Sequence, residues 1–287
     1  MAIKSEWVFD ATGADFEEKV IKRSQEVPVV VDFWAPWCGP CRSLGPILEG
    51  MIDQRGGKAL LAKVNTDEEQ GLAAQYGINA LPTVVAFRKG RAVLSFEGVL
   101  PEAQLADFFN RLEPTEAEKA AETASSLEKS DPAKAEEMYR AALSKNPNQE
   151  DAMVGLARLL LDQKKLEEAA DLLERVGIGG EFSAEADKLR AILWLCEQTK
   201  DLPDEYSLRK KAKANPKDGS TLCDLGCVLA ANGKTTEALE TLYQAGLLDR
   251  KLATTKVRET MVKIFFVIGV RSELADTYRD KLTSMLY

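Results

Sequence analysis

Histidine is absent from all 287 residues. That absence excludes serine–histidine–aspartate triads and most catalytic zinc sites, which need imidazole as base or ligand. Cysteine is scarce: there are five, and only Cys38 and Cys41 form a Cys-x-x-Cys pair. So few cysteines in so long a chain suit a reducing compartment with a catalytic dithiol better than a disulfide framework. Long apolar runs are also missing, because Ile264 to Val270 falls far short of the roughly 20 residues that span a bilayer. No basic patch stands out. The chain has 38 basic and 46 acidic residues, a net charge of −8. Residues 1–113 hold 12 and 16 of these and the remainder 26 and 30, so each part carries −4. With no basic patch, nucleic acid is not an expected partner. The opening Met-Ala-Ile-Lys-Ser-Glu-Trp has no apolar core of a signal peptide, so a cytoplasmic location without a membrane partner is expected.

What is present centres on residues 29–42, Val-Val-Val-Asp-Phe-Trp-Ala-Pro-Trp-Cys-Gly-Pro-Cys-Arg. Val29 to Phe33 reads as a buried central strand, with one carboxylate, Asp32, that is costly there unless it has a task. Cys38 and Cys41 then fall at the first turn of a helix running on through Leu44 toward Leu48. Unpaired N–H groups and the helix dipole favour an anion at that point. Cys38, expected to be the more exposed, becomes the attacking sulfur and Cys41 the resolving one.

Further along, residues 15–26 read as a short helix burying Phe16 and Val20, with Asp15 as cap. Leu60 to Asn65 reads as a strand and Asp67 to Tyr76 as a helix stopped by Gly77. Residues 83–88 and 92–97 suit an antiparallel pair around Lys89-Gly90, and 101–112 a closing helix.

Trp37-Cys38-Gly39-Pro40-Cys41, with Asp32 upstream, resembles the active site of the thioredoxin family. Pro46 falls where that family's helix kinks, and Lys63 matches the lysine that pairs with the buried aspartate. Ile78-Asn79-Ala80-Leu81-Pro82-Thr83 matches the loop carrying a cis-proline, and Gly98 a glycine beside the substrate groove. The resemblance runs from the start of the chain to Leu112. It implies an α/β thioredoxin fold, a mixed central sheet flanked by helices, over domain 1–112. It implies a site with Cys38, Cys41, Asp32 and Lys63 as catalytic residues and Trp37, Gly39, Pro40, Ala80, Leu81, Pro82 and Gly98 touching substrate. In that scheme Asp32 takes the proton that Cys41 must lose. No cofactor is implied beyond the Cys38–Cys41 disulfide, and no metal.

From Glu113 to Tyr287 strand signals stop, and alanine, leucine, lysine and glutamate recur at helical spacing. Pro147 and Pro216 each follow asparagine. Sliding the chain along itself until Pro147 meets Pro216 also lays Leu156 on Leu225, Leu160 on Leu229, Ala169 on Ala238 and Leu173 on Leu242. That shift is close to twice the tetratricopeptide period of about 34. Domain 113–287 is therefore expected to be an all-α tetratricopeptide-like solenoid of four or so repeats, the one at about 181–214 having drifted. Cys196, Cys223 and Cys227 read as core filler, and Gly233-Lys234-Thr235 as an inter-helix turn rather than a phosphate loop. Arg158 and Lys164 without an asparagine disfavour a peptide-carboxylate clamp.

A thioredoxin domain followed by degenerate repeats resembles the bacterial chaperedoxins. That resemblance implies a holdase that binds unfolded or oxidised client proteins and passes them to the GroEL/ES chaperonin or the DnaK system. Met285, Leu286 and Tyr287 would then be a partner-docking end, and a thioredoxin reductase is a candidate for recycling the disulfide. Two alternatives stand beside it: a protein-disulfide reductase whose repeats only select substrates, and an adaptor that recruits the chaperonin.

Overall fold

A computed structural model gives the structure of the chain and describes residues 5–286. The chain divides after Pro114 into two compact units.

The first unit is built on a five-stranded sheet: β1 (Val8–Asp10), β2 (Val29–Trp34), β3 (Leu60–Asn65), β4 (Thr83–Arg88) and β5 (Arg91–Glu97). The spatial order is β1-β3-β2-β4-β5; β1, β3 and β2 are parallel, and β4 and β5 antiparallel. β2 lies at the centre, which is why its apolar run is continuous rather than alternating. Its side chains still alternate between two cores. Val30 joins Leu61, Val84 and Ala86 beneath α1 (Gly39–Arg55), which contributes Leu44, Leu48 and Ile52. Val29, Val31 and Phe33 face the other side, with Phe16, Val20 and Phe87. Each such fully buried aliphatic side chain contributes about 1.5–3 kcal/mol. By this alternation Asp32 takes the face of Val30, the face that α1 covers.

Four features of this unit differ from the sequence expectations. β1 has no counterpart among them: it is three residues long, and only Val8 is buried in it. Residues 17–25 form a π-type turn followed by a 3-10 turn, not a regular helix. Asp15 does not cap that helix, since its Oδ1 accepts from the Thr12 N–H at 2.7 Å and so closes the preceding turn. The helix expected from Asp67 starts late, as α2 (Gln70–Gln75), because residues 66–68 form a turn. The Lys89-Gly90 hairpin forms as expected, with both residues at positive φ, and α3 (Glu102–Asn110) closes the unit.

The second unit is helical throughout its described residues. A capping box between Thr115 and Glu118 starts α4 (Glu116–Leu127), and Asp131 with Pro132 starts α5 (Pro132–Lys145). There follow α6 (Glu150–Asp162), α7 (Leu166–Arg175), α8 (Ser183–Thr199), α9 (Glu205–Ala214), α10 (Gly219–Ala231) and α11 (Thr235–Leu248). A single turn, α12 (Arg250–Leu252), leads through a kink at Thr255 into α13 (Arg258–Ile268) and α14 (Glu273–Leu286). Five helix pairs result among the described residues, against the four or so expected. The shift that carries Pro147 onto Pro216 maps both ends of α6 onto those of α10.

The shift also reproduces a polar lattice. Glu136 on α5 binds Arg140, Gln163 and Lys165, while Glu168 on α7 binds Arg140. Glu205 and Glu237 bind Arg209, Asn232 and Lys234 in the same pattern at the shifted positions. Such exposed pairs contribute only about 0.2–1 kcal/mol each, so they fix helix register while the apolar clusters supply stability. Leu156, Leu159, Leu160 and Leu173 are all buried, as are the free thiols Cys196, Cys223 and Cys227.

Gly155 in α6 shows how closely these helices approach. A Cβ there would collide with the ring of Tyr139, which is buried and tethered by its hydroxyl to Glu128 at 2.6 Å. Gly155→Ala should therefore lower helical-unit stability by about 1–3 kcal/mol, read as an earlier thermal transition in far-ultraviolet circular dichroism. An unchanged transition would contradict this packing.

Candidate functional site

The site forms where β2 ends. After Trp34 the chain turns through Ala35-Pro36-Trp37, with the Cys38 N–H donating to the Ala35 carbonyl at 3.1 Å. Cys38 occupies the N-cap of α1, in extended backbone, and the Cys41 N–H donates to its Sγ at 3.2 Å. Gly39 and Pro40 are the first two helical residues, where proline's missing N–H costs nothing. Cys38 and Cys41 are joined, with Cα atoms 5.3 Å apart. In this oxidised form both are 4% exposed, so the expectation that Cys38 is the more exposed does not hold here. The bond ties both sulfurs into one small cluster with Ala35, Trp34 and Leu81.

The loop before β4 reaches the disulfide from the other side. Leu81-Pro82 is a cis peptide, and Leu81 packs against the cluster of Ala35, Cys38 and Cys41. Thr83 Oγ1 donates to the Ala80 carbonyl at 2.8 Å, and the Gly98 N–H donates to the Pro82 carbonyl at 2.8 Å. Gly98 has φ of 77°, which explains glycine there. A groove of about 380 Å³ is lined by Trp37, Thr66, Ile78, Asn79, Ala80 and Leu81. Trp37 is 67% exposed, and its Nε1–H donates to Asp67 Oδ1 at 3.1 Å. The groove thus offers an apolar rim beside sulfur, the arrangement an extended peptide can dock against.

Asp32 is 1% exposed, and its Oδ1 finds no hydrogen-bond partner among the described residues. Burial pushes its carboxyl up to about 6; the charge of Lys63 works against that and the charge of Glu49 adds to it. Lys63 stands in register with Asp32 on β3, yet its ammonium is not paired there. It meets Glu49 Oε1 on α1 at 2.7 Å and lies over the Trp34 ring at 5.6 Å. The lysine–aspartate pair implied by the family resemblance is therefore replaced by a lysine–glutamate pair. Glu49 is the more solvated carboxylate, so pairing with it costs less desolvation.

Sequence reading misses Asp67 and Glu49. Asp67 is remote from Trp37 along the chain and leaves no local signal. Glu49 does leave one: it follows Cys41 by about two helical turns and so lies on the same side of α1. Away from this site, Cys223 and Cys227 share a buried face of α10, with Cys227 Sγ 3.5 Å from Thr260 Oγ1. No cluster of three or more acidic or cysteine side chains able to hold a metal occurs among the described residues. No helix among them is long and apolar enough to cross a membrane. Met285 packs on Gly246 and on the apolar cluster that runs from Leu195 to Leu282, whereas the side chain of Leu286 and the whole of Tyr287 lie outside the described residues.

The raised Asp32 carboxyl has a consequence for stability. Its folded value of about 6 exceeds the ordinary 3.8, so the native state holds this proton more tightly than the unfolded chain. Unfolding free energy must then fall as pH climbs from about 4 through 6, by about 3 kcal/mol in all. Asp32→Asn removes the loss. The variant should be more stable than wild type at pH 8, with the gap closing at pH 4. Urea titrations of the oxidised chain, followed by tryptophan emission, read this, because three of the four tryptophans, Trp7, Trp34 and Trp37, lie in the first unit and Trp194 alone in the second. An equal gap at both pH values would contradict it.

Comparison with known proteins matches residues 7–111 to the Thioredoxin family, and residues 126–193 and 198–287 to two Tetratricopeptide repeat families. A probable thioredoxin-2 of Caenorhabditis elegans is 54% identical over 102 residues, 35% of this chain and 69% of that protein. A thioredoxin of Haemophilus influenzae is 38% identical over 104 residues, 36% of this chain and 95% of that protein. A mitochondrial thioredoxin of Mus musculus is 46% identical over 100 residues, 35% of this chain and 59% of that protein. With a cysteine pair at a helix start, a buried aspartate beneath that helix and these matches, the chain belongs to the thioredoxin family and carries tetratricopeptide repeats after its thioredoxin domain.

Proposed function

We propose that the protein is a redox-active chaperone, whose first unit exchanges thiols with client disulfides and whose helical unit holds unfolding clients. The observation that carries the redox half is the Cys38–Cys41 pair at the N-terminus of a 17-residue helix, above a buried aspartate with an unpartnered oxygen. In the reduced protein the helix terminus favours the Cys38 thiolate over the thiol. That thiolate attacks one sulfur of a client disulfide; a new S–S bond forms and the other client sulfur leaves as thiolate. Cys41 then gives its proton to Asp32 and attacks Cys38 Sγ. The second client sulfur is released, the client gains two electrons, and the Cys38–Cys41 bond closes. A dithiol reductant, such as a thioredoxin reductase, must reopen it. Trp37, Ala80 and Leu81 give the client its apolar landing, and the cis-proline loop its extended backbone partner.

The holding half is supported by exposed large apolar side chains on the helical unit. Ile178 and Tyr206 are 97% and 78% exposed, and Leu247, Leu248, Phe266 and Val270 are also open. These open side chains are, in this reading, where weak contacts with unfolded chains would form. In this reading clients pass to the GroEL/ES chaperonin or the DnaK system, with the Met285 to Tyr287 end as the docking point. The thioredoxins to which the first unit is similar favour one second reading, a disulfide reductase whose repeats only select substrates.

A Cys38→Ser, Cys41→Ser double variant should still suppress aggregation of a denatured, cysteine-free client, as followed by light scattering. Loss of all suppression in wild type and variant alike would favour the reductase. Cys41→Ser should trap clients covalently on Cys38 and Cys38→Ser should not, as seen on non-reducing gels. Equal trapping by the two variants would contradict the assigned sulfur roles.

A further inference from the structure

The register of the sheet places Lys63 beside Asp32, on the face covered by α1, where a direct ion pair would be the expected outcome. The ammonium is instead drawn away. It passes Gly45, where a Cβ would stand 3.8 Å from Nζ, and reaches Glu49 Oε1 at 2.7 Å. Asp32 is left buried, with Oδ1 unpartnered among the described residues. A buried carboxylate locked to an ammonium is a poor proton acceptor, because protonating it breaks the pair and strands a cation. One without a partner is under no such constraint.

From this geometry we propose that Glu49 is a positioning residue for the dithiol: by holding the Lys63 ammonium at its own carboxylate, it keeps Asp32 out of a salt bridge and free to exchange a proton with Cys41. The proposal rests on the thiol-exchange reading above and adds a residue to it. The charges acting on Asp32 come from two elements, Lys63 on β3 and Glu49 on α1, while β4 sets Val84 opposite it. Their directions agree with the geometry, since Lys63 favours the ionised form and Glu49 opposes it. Glu49 therefore acts in two ways, through its own charge and through the place where it keeps the lysine. Only the second requires Lys63, which makes the two separable.

The experiment uses the full-length oxidised chain with 13C-labelled aspartate, in which the Asp32 carboxyl signal is identified by its loss in Asp32→Asn. Its titration midpoint is compared in wild type, Glu49→Gln, Lys63→Met and the Glu49→Gln, Lys63→Met double variant. Releasing Lys63 should lower the midpoint in Glu49→Gln by about one pH unit. In the Lys63→Met background the same change should move it by less than about a third of that. No shift in Glu49→Gln, or equal shifts in the two backgrounds, would overturn the proposal. A second readout is the pH profile of insulin disulfide reduction with dithiothreitol as reductant. A more acidic Asp32 is a weaker base, so Glu49→Gln should slow reduction about threefold at pH 7 and carry the acid limb of the profile to lower pH. A profile that stays in place while the midpoint moves would overturn the link to Cys41. A merely structural Glu49 would lower thermal stability and move neither. If wild type reduces no insulin at all, the thiol-exchange reading fails, whereas the titration, which needs no substrate, still decides what Glu49 does to Asp32.

Discussion

A sulfur in the cap position of a long helix is the constraint on which the first unit depends. The Cys41 N–H donates to Cys38 Sγ, so a cysteine fills the role that serine or aspartate usually takes at a helix start. A cap group that accepts from backbone N–H is stabilised as an anion, and an anionic sulfur is the one that attacks disulfides. The strand before it and the loop opposite it exist in positions that serve this sulfur. β2 is buried on both faces and so delivers the chain rigidly to the cap, while the Leu81-Pro82 loop, tied to Gly98 just beyond β5, closes over it. Strand alternation sets the Asp32 carboxyl beneath α1, and burial there pushes it up to about 6.

The helical unit follows a different logic. Its stability comes from stacking, since no single pair of helices encloses its own apolar face. Two apolar clusters run through it, one from Ala117 to Leu193 and one from Leu195 to Leu282. The glutamate–arginine lattice, which recurs from Glu136 and Arg140 to Glu205 and Arg209, sets how second helices line up, at little energetic cost or gain. Outside those clusters Ile178, Tyr206, Leu247, Leu248, Phe266 and Val270 remain exposed.

How much is legible in the sequence depends on how local the cause is. The β2 run, the Cys-x-x-Cys helix start, the Lys89-Gly90 turn and the repeat that carries Pro147 onto Pro216 are written in neighbouring or periodic residues, and each can be read. β1 cannot, because Val8–Asp10 is too short to carry a pattern and is ordered by pairing with Leu61 to Lys63. The fifth helix pair is hidden by the kink at Thr255, which interrupts the periodicity before α13. The partner of Lys63 eludes sequence reading for a physical reason: register predicts which residues are neighbours, but the choice between two carboxylates turns on desolvation, and that needs α1 in place. The bond from Trp37 to Asp67 joins two loops far apart in the chain, which no pattern encodes.

In the reduced protein the start of α1 should hold Cys38, and not Cys41, as the anion. The pH dependence of iodoacetamide modification in the reduced full-length protein, with the modified residue identified by peptide mass, tests it most directly. Cys38 should react first, with a midpoint well below the roughly 8.5 of a free thiol, and Cys41 should stay unmodified at neutral pH. Two cysteines modified together with a midpoint near that free value, or Cys41 modified first, would contradict it.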